Sequence, residues 1–385
     1  MVSGCPKRTR RFLIVVILGV PLLFLCLHST SFTSSSDDET SVDTEDFELE
    51  LVEAEPICYP SHNVFFFKTH KTGSSTLFNI FMRYADEKNL TVAVSREPSN
   101  LLRYPAILDA NFLPDYALIN RRVEIFAIHT RLDIQAAKKL MAPRTKFITI
   151  LRDPVYSWSS GFNYFNLPAV TGMSLEDFLD DGYAIDKMKR RKFSPWFGFN
   201  FLFYDLGFNE TLTAAPAAQA QRAIDMLERN FGHVMIAELM DESLILMQHA
   251  LCWDLEDIIA FRHNERNSSI YPRDLEPKLI YKIADLNDID VRIYNHFAEK
   301  LRGMIDEFGT ERMAKEVGTL RLRRDRWLRE CLGGYRHGFQ NTLVFLPKDN
   351  ASAKCLRLTR TELEYVMYFR ELYMNELDRL QQSRE

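Results

Sequence analysis

The segment FKTHKTGSST, residues 67–76, gathers two lysines, one histidine, one glycine and five hydroxyl side chains within ten positions. At the start of a helix these residue types make a phosphate cradle. The helix N-terminus offers unpaired N–H groups and a positive dipole end, Gly73 permits close backbone approach, and Ser74, Ser75 and Thr76 add donors. Lys71 can carry a mobile positive charge to anionic oxygens, and Lys68, Thr69 and Thr72 complete the candidate set. The loop is not a Walker A motif, in which lysine follows the last glycine; here Lys71 precedes Gly73. That order, with no recognisable metal-binding carboxylate motif, disfavours kinase and NTPase chemistry. A plainer reading is a hydroxyl-capped helix behind a buried strand.

The second stretch is LRDPVYSWSSG, residues 151–161. Arg152 falls at the carboxyl end of an apolar strand, and Asp153 with Pro154 starts a helix. Ser160 returns two turns later to roughly the same face, so Arg152 and Ser160 can grip one phosphate together. By itself an arginine bonded only to Asp153 or to a carbonyl would read the same.

Together, KTHKTGSST at 68–76, LRDP at 151–154 with Ser160 and Gly161, IAE at 236–238, DES at 241–243 and LCW at 251–253 resemble the galactose-3-O-sulfotransferases. The likeness is strongest over 64–252 and continues more loosely to the C-terminus; the family includes enzymes acting on galactosylceramide (cerebroside). The resemblance implies transfer of a sulfuryl group from 3′-phosphoadenosine 5′-phosphosulfate (PAPS) to the 3-hydroxyl of a terminal galactose, with no metal ligand and no metal in the chemical step. Galactosylceramide and related glycolipids are the first expectation, as in sulfatide synthesis. Glycoprotein glycans are the alternative acceptor, and a non-catalytic membrane-anchored glycan-binding protein is the reading from another class.

Carried onto this sequence, the resemblance implies that Lys68, Thr69, Lys71, Thr72, Gly73, Ser74, Ser75 and Thr76 hold the 5′-phosphosulfate, with Lys71 at the bridging oxygen. Arg152 and Ser160 would hold the 3′-phosphate, and Arg262 and Arg266 would lie on a loop over the nucleotide. Displacement also needs a base for the acceptor proton, and histidine titrates in the right range. His70 lies inside the loop and His129 at a strand end. We take His70 as base with His129 binding or orienting the acceptor, the reverse order remaining open. Glu124 and Glu238 are carboxylate alternatives, and His233, His249, His263 and His296 read as structural.

These residues need elements to hold them. Short apolar runs at 63–68, 123–128, 146–151 and 233–237 read as buried strands. Helical stretches are expected at 175–181, 217–229, 243–252, 279–307 and 361–380. The alternation predicts a three-layer, P-loop-like α/β fold with a mainly parallel sheet, in which ligands bind at the carboxyl ends of the strands.

Around this domain, expected at 58–385, the N-terminal sequence reads as targeting. Lys7, Arg8, Arg10 and Arg11 precede an uncharged run from Phe12 to Leu27, so a cytosolic tail (1–11) and an uncleaved type II signal anchor (12–28) are expected, with the remainder lumenal, a cleaved signal peptide being the alternative. Residues 29–57 form an acidic, Ser/Thr-rich stem. Lumenal placement fits four N-glycosylation signals, at Asn89, Asn209, Asn267 and Asn350, and the resemblance points to the Golgi membrane. Cys58, Cys252, Cys331 and Cys355 are an even set compatible with two disulfides, their pairing open.

With 48 Lys and Arg against 53 Asp and Glu, the net charge of −5 offers no global basic field for nucleic acid. A galactose-bearing acceptor and the membrane are the expected partners; a homodimer is compatible with the sequence, which does not fix oligomeric state. The basic run RLRRDR at 321–326 reads first as a solvated helix face and second as a guide for an anionic donor or head group. Trp158, Tyr164, Trp196 and Phe197 could stack on a sugar, core packing being the commoner fate.

Overall fold

The computed structural model describes residues 58–209, 214–263, 275–338 and 342–382. The expected tail, anchor and stem, together with Arg266 and Asn267, lie outside the described residues. Among the described residues no helix is long and apolar enough to cross a membrane.

The chain runs β1 (Val64–Phe67), α1 (Ser74–Lys88), β2 (Ile125–Phe126), α2 (Ile134–Leu140), β3 (Lys146–Leu151) and α3 (Pro154–Tyr164). Four short helices follow: α4 (Leu167–Thr171), α5 (Leu175–Asp180), α6 (Gly182–Lys189) and α7 (Phe201–Asp205). Then come α8 (Pro216–Asn230), β4 (His233–Ile236), α9 (Met240–Leu251), α10 (Pro277–Leu286), α11 (Asp288–Phe308) and α12 (Thr310–Cys331). A hairpin of β5 (Leu332–His337) and β6 (Leu343–Pro347) leads into α13 (Ala353–Thr359) and α14 (Glu362–Gln382).

Strands β1 to β4 form a parallel sheet in the order β2-β1-β3-β4. Every residue of β1 is buried, as a parallel strand covered on both faces must be. The register sets Phe126, Phe65 and Phe147 side by side, with ring centroids 4.5 and 5.0 Å apart. From β1 the chain moves outward to β2 and from β3 outward to β4, in opposite directions across the sheet. The crevice between the carboxyl ends of β1 and β3 is therefore the topological switch point where such sheets bind ligands.

A second apolar cluster lies under α3, built on Trp158, Phe162, Phe178, Phe197 and Phe199. Trp158 stacks on Phe199 at 5.1 Å, and a Cβ at Gly161 would run into the Phe197 ring. Trp158 and Phe197 are thus core residues rather than sugar platforms. Two disulfides pair Cys58 with Cys252 and Cys331 with Cys355, at Cα separations of 5.6 and 4.9 Å. The first ties the entry of β1 to the end of α9, and the second closes the β5–β6 hairpin against α13.

The expected strand at 123–128 is only two residues long, and beyond it His129 makes an isolated parallel bridge with Leu101. The expected helix at 279–307 breaks at Asn287. Its side chain accepts from Asn200 N at 2.8 Å and donates to the Ile283 carbonyl at 2.7 Å, and such local bonds compete with helix continuation. Helix α12 is not among the expected helical stretches, only its basic run at 321–326 having been read as a helix face. Its buried positions Met313, Val317 and Leu320 are a thin apolar stripe diluted by charge.

Candidate active site

The loop leaving β1 turns through two left-handed residues, Lys71 (φ 60°) and Gly73 (φ 76°). Gly73 is the N-cap of α1, which starts without a side-chain cap. An uncapped start leaves first-turn N–H groups for a ligand. At the end of β3, Arg152 Nη1 donates to the Lys71 carbonyl at 2.9 Å, bridging the two strands of the switch point. Asp153 caps α3 by accepting from Val155 N at 2.8 Å, which turns the Ser160 face toward the same space.

That space is a cleft of about 970 Å³. Of the residues singled out from the sequence, Lys68, His70, Lys71, Thr72, Gly73, Ser74, Ser75, Thr76, His129, Arg152, Ser160 and Arg262 line it. Thr69 does not: it is buried, its hydroxyl on the Ile150 carbonyl and 3.0 Å from Thr72 Oγ1. It pins the loop to β3, because a side chain pointing back along a strand end meets the neighbouring strand first. Lys68 is 2% exposed, and its ammonium bonds Ser74 Oγ at 3.1 Å and pairs with Glu362 at 3.4 Å. Burial lowers its pKa, with Glu362 opposing that shift. The Lys71 ammonium lies 3.7 Å from the centre of the Tyr164 ring.

The two histidines stack, with ring centroids 4.3 Å apart and planes 13° from parallel. His129 is buried, its Nδ1 3.1 Å from the Lys68 carbonyl. Burial first, then the Lys68 and His70 charges, hold it well below the ordinary histidine pKa, so it is a neutral imidazole. His70 keeps 11% of its side chain exposed, and its Nδ1 lies 2.7 Å from Asp205 Oδ2. Tyr104 donates to the other oxygen of Asp205, also at 2.7 Å. Burial, then the Asp205 charge, raise the Tyr104 pKa well above its ordinary value.

The carboxylate candidates are committed elsewhere. Glu124 accepts from Thr91 N at 2.8 Å and is not among the cleft-lining residues. Glu238 is in the cleft but accepts from Asp153 N at 3.1 Å and Tyr294 at 3.2 Å. His233, His249, His263 and His296 are each bonded to a carbonyl or carboxylate.

Several lining residues escaped the sequence reading. Glu362, at the start of α14, accepts from Ser75 Oγ at 3.0 Å and Asn100 Nδ2 at 3.2 Å. The basic run of α12 is not simply a solvated face: Arg321 and Arg324 line the cleft and both bind Asp241, at 2.6 and 2.7 Å. Burial works against the ionised form of Asp241, but these two guanidinium groups outweigh it and lower its pKa. Of the aromatics, Tyr164 and Trp196 line the cleft, Trp196 with 42% of its surface exposed. The only signal for Asp205 was an acidic residue ending the apolar run FLFYD.

The family model for galactose-3-O-sulfotransferases matches residues 5–344. Galactosylceramide sulfotransferase from Bos taurus is 36% identical over 288 residues, which are 72% of this chain and 66% of that protein; the Homo sapiens protein is 35% identical with the same coverage. The chain thus spans just under two thirds of their length. Galactose-3-O-sulfotransferase 3 from Bos taurus is 33% identical over 339 residues, 85% of this chain and 76% of that protein. A sulfotransferase structure from Alicyclobacillus acidocaldarius aligns at a TM-score of 0.35 with 14% identity, covering 64% of this chain and all of that one, too distant to bear on the site. On the family match and these identities, the chain belongs to the galactose-3-O-sulfotransferase family.

Proposed function

We propose that this chain transfers a sulfuryl group from PAPS to the 3-hydroxyl of a terminal β-galactose, with galactosylceramide and related glycolipids as acceptors. The catalytic domain would be the three-layer, P-loop-like unit at 58–385, held in the Golgi lumen by the anchor at 12–28. One observation carries the reading. Both phosphate motifs and His70 open on one cleft at the switch point of a parallel sheet, with Arg152 bonded to the loop at the Lys71 carbonyl. Family membership supports galactose, and the relatives named for galactosylceramide support the lipid acceptor.

The residues fit an anionic nucleotide donor. The Glu362 carboxylate already sits on Ser75 Oγ with Lys68 at 3.4 Å, so the donors of this loop do collect negative charge. Ser74, Ser75, Thr76 and the uncapped start of α1 would hold the 5′-phosphosulfate, and Arg152 with Ser160 the 3′-phosphate. When bound, PAPS supplies an activated sulfuryl group with a nucleotide bisphosphate as leaving group. Lys71 would turn from Tyr164 to neutralise charge on the departing oxygen. His70 would take the acceptor hydroxyl proton at Nε2, because it is the histidine with an exposed edge while His129 is buried and committed to the Lys68 carbonyl. Asn89, Asn209 and Asn350 are exposed, as glycan acceptors in the lumen must be.

The test is transfer of labelled sulfate from PAPS to galactosylceramide, lactosylceramide and soluble β-galactosides, compared side by side. The expected order puts galactosylceramide first. Transfer to none of them would overturn the assignment, and transfer to the soluble β-galactosides alone would move the acceptor from lipid to glycan.

A further inference from the structure

We infer that Asp205 and Tyr104 are positioning residues for His70: Asp205 holds the proton on Nδ1 and leaves Nε2 as the acceptor, and Tyr104 tempers the charge of Asp205. The inference rests on the proposed role of His70 as base.

The carboxylate is fixed from several directions. Asp205 ends α7, and the start of that helix is held by Asp290 of α11, whose oxygens accept from Leu202 N and Phe203 N, both at 2.9 Å. Its backbone carbonyl accepts from Leu132 N at 2.8 Å. Just beyond, Gly207 has φ 88°, and a Cβ there would collide with the Leu132 carbonyl. With 1% of its side chain exposed, Asp205 can take one proton-bearing partner on each oxygen, and it has them in His70 and Tyr104. A carboxylate on Nδ1 sets the tautomer and orientation of an imidazole and stabilises the imidazolium that forms when Nε2 accepts a proton.

The surroundings make this partner necessary. Lys68 and Lys71 flank the histidines from the loop, and Arg152 shares with His70 the small cavity behind it. All three cations oppose a positive charge on His70. Asp290 faces the same cavity but is spent on α7. Asp205 is thus the carboxylate in contact with the ring, and the neutral His129 stacked on the other face adds no further cation.

The test is an NMR titration of ¹⁵N,¹³C-histidine-labelled protein, with the His70 signals assigned from His70→Ala, run beside steady-state kinetics. In the unaltered chain His70 is expected to carry its neutral-state proton on Nδ1. Asp205→Asn removes the anion, so the His70 pKa should fall and kcat drop about 10²- to 10⁴-fold, with donor Kd changed less than about threefold. Tyr104→Phe removes a donor from Asp205, leaving more charge facing the ring. The His70 pKa should rise, with kcat changed less than about tenfold. A general loss of packing would not move the two titrations in opposite directions. Shifts in the same direction, no shift in either, or an Asp205→Asn enzyme with unaltered kcat would overturn the inference. If Asp205→Asn does not fold, a Tyr104→Phe titration that fails to rise overturns it alone. Should the unaltered chain transfer no sulfuryl group while the titrations move as expected, the activity falls and the positioning stands.

Discussion

Replacing Arg152 by alanine removes the strand-end guanidinium from the proposed 3′-phosphate site, and the structure sets how much of the effect is stability and how much is binding. The pair with Glu238 is 4.0 Å long, with both side chains about a third exposed (33% and 39%), so it contributes at most about 1 kcal/mol. The bond to the Lys71 carbonyl adds about 1 kcal/mol. The folded state should therefore lose about 1–2 kcal/mol, a Tm shift of a few degrees. A two-pronged grip on a phosphate is larger: at about 1.5–3 kcal/mol for each charged hydrogen bond, two bonds correspond to about 10²- to 10⁴-fold in Kd. Calorimetric titration with adenosine 3′,5′-bisphosphate and with adenosine 5′-monophosphate separates the terms. The unaltered protein should prefer the bisphosphate, and Arg152→Ala should erase that preference to within about threefold. Arg152→Lys keeps the charge but not the fork and should lose about 10- to 100-fold. A variant that keeps the preference would refute the 3′-phosphate assignment. Equal losses for both nucleotides would show that Arg152 acts only through the loop.

Three other outcomes are expected. His70→Ala should leave nucleotide Kd within about threefold and lower kcat by about 10²-fold or more; normal kcat in a turnover assay would exclude His70 as the base. Trp196→Ala should raise the acceptor KM about tenfold and leave donor binding alone, because an exposed indole on the cleft wall offers a sugar about 1–1.5 kcal/mol of ring contact; unchanged acceptor kinetics would remove it from the acceptor site. Stability should fall on acidification. His233 is fully buried, and burial lowers its pKa to about 4, the Ser243 carbonyl opposing. The unfolded chain takes up that proton near pH 6.5 and the folded chain only near 4, so stability present above the upper value is lost as pH falls between them. The His233 share of the loss is about 2 kcal/mol at pH 5, seen as a urea midpoint that falls less between pH 7 and pH 5 in His233→Gln than in the unaltered chain.

Legibility in the sequence followed the range of the interaction. The strands at 64–67 and 146–151 could be read because a parallel strand covered on both faces must be a continuous apolar run, and Val64, Phe65, Phe66 and Phe67 in succession leave little choice. The end of each strand then marked where ligand groups would gather, and Lys71, Arg152 and Ser160 all line the cleft. Helix α12 and the break at Asn287 were hidden because both depend on partners far along the chain. Asn287 stops a helix in order to bond Asn200, and the apolar stripe of α12 is too thin to show a period.

The sequence by itself determined the sheet's central strands, the glycine- and hydroxyl-rich loop after β1, the strand-end arginine and the even set of four cysteines in the expected lumenal domain. These are properties of contiguous residues, whose backbone geometry and burial pattern are written locally. The tertiary structure decided the cysteine pairing, the stacking of His129 on His70, the arrival of Tyr104, Glu362 and Arg324 at the cleft, and the placing of Asp205 behind His70. Asp205 lies 135 positions from His70 and Glu362 lies 287 from Ser75. Contacts over such separations exist only after the sheet has closed and the helices have packed, so no local pattern carries them.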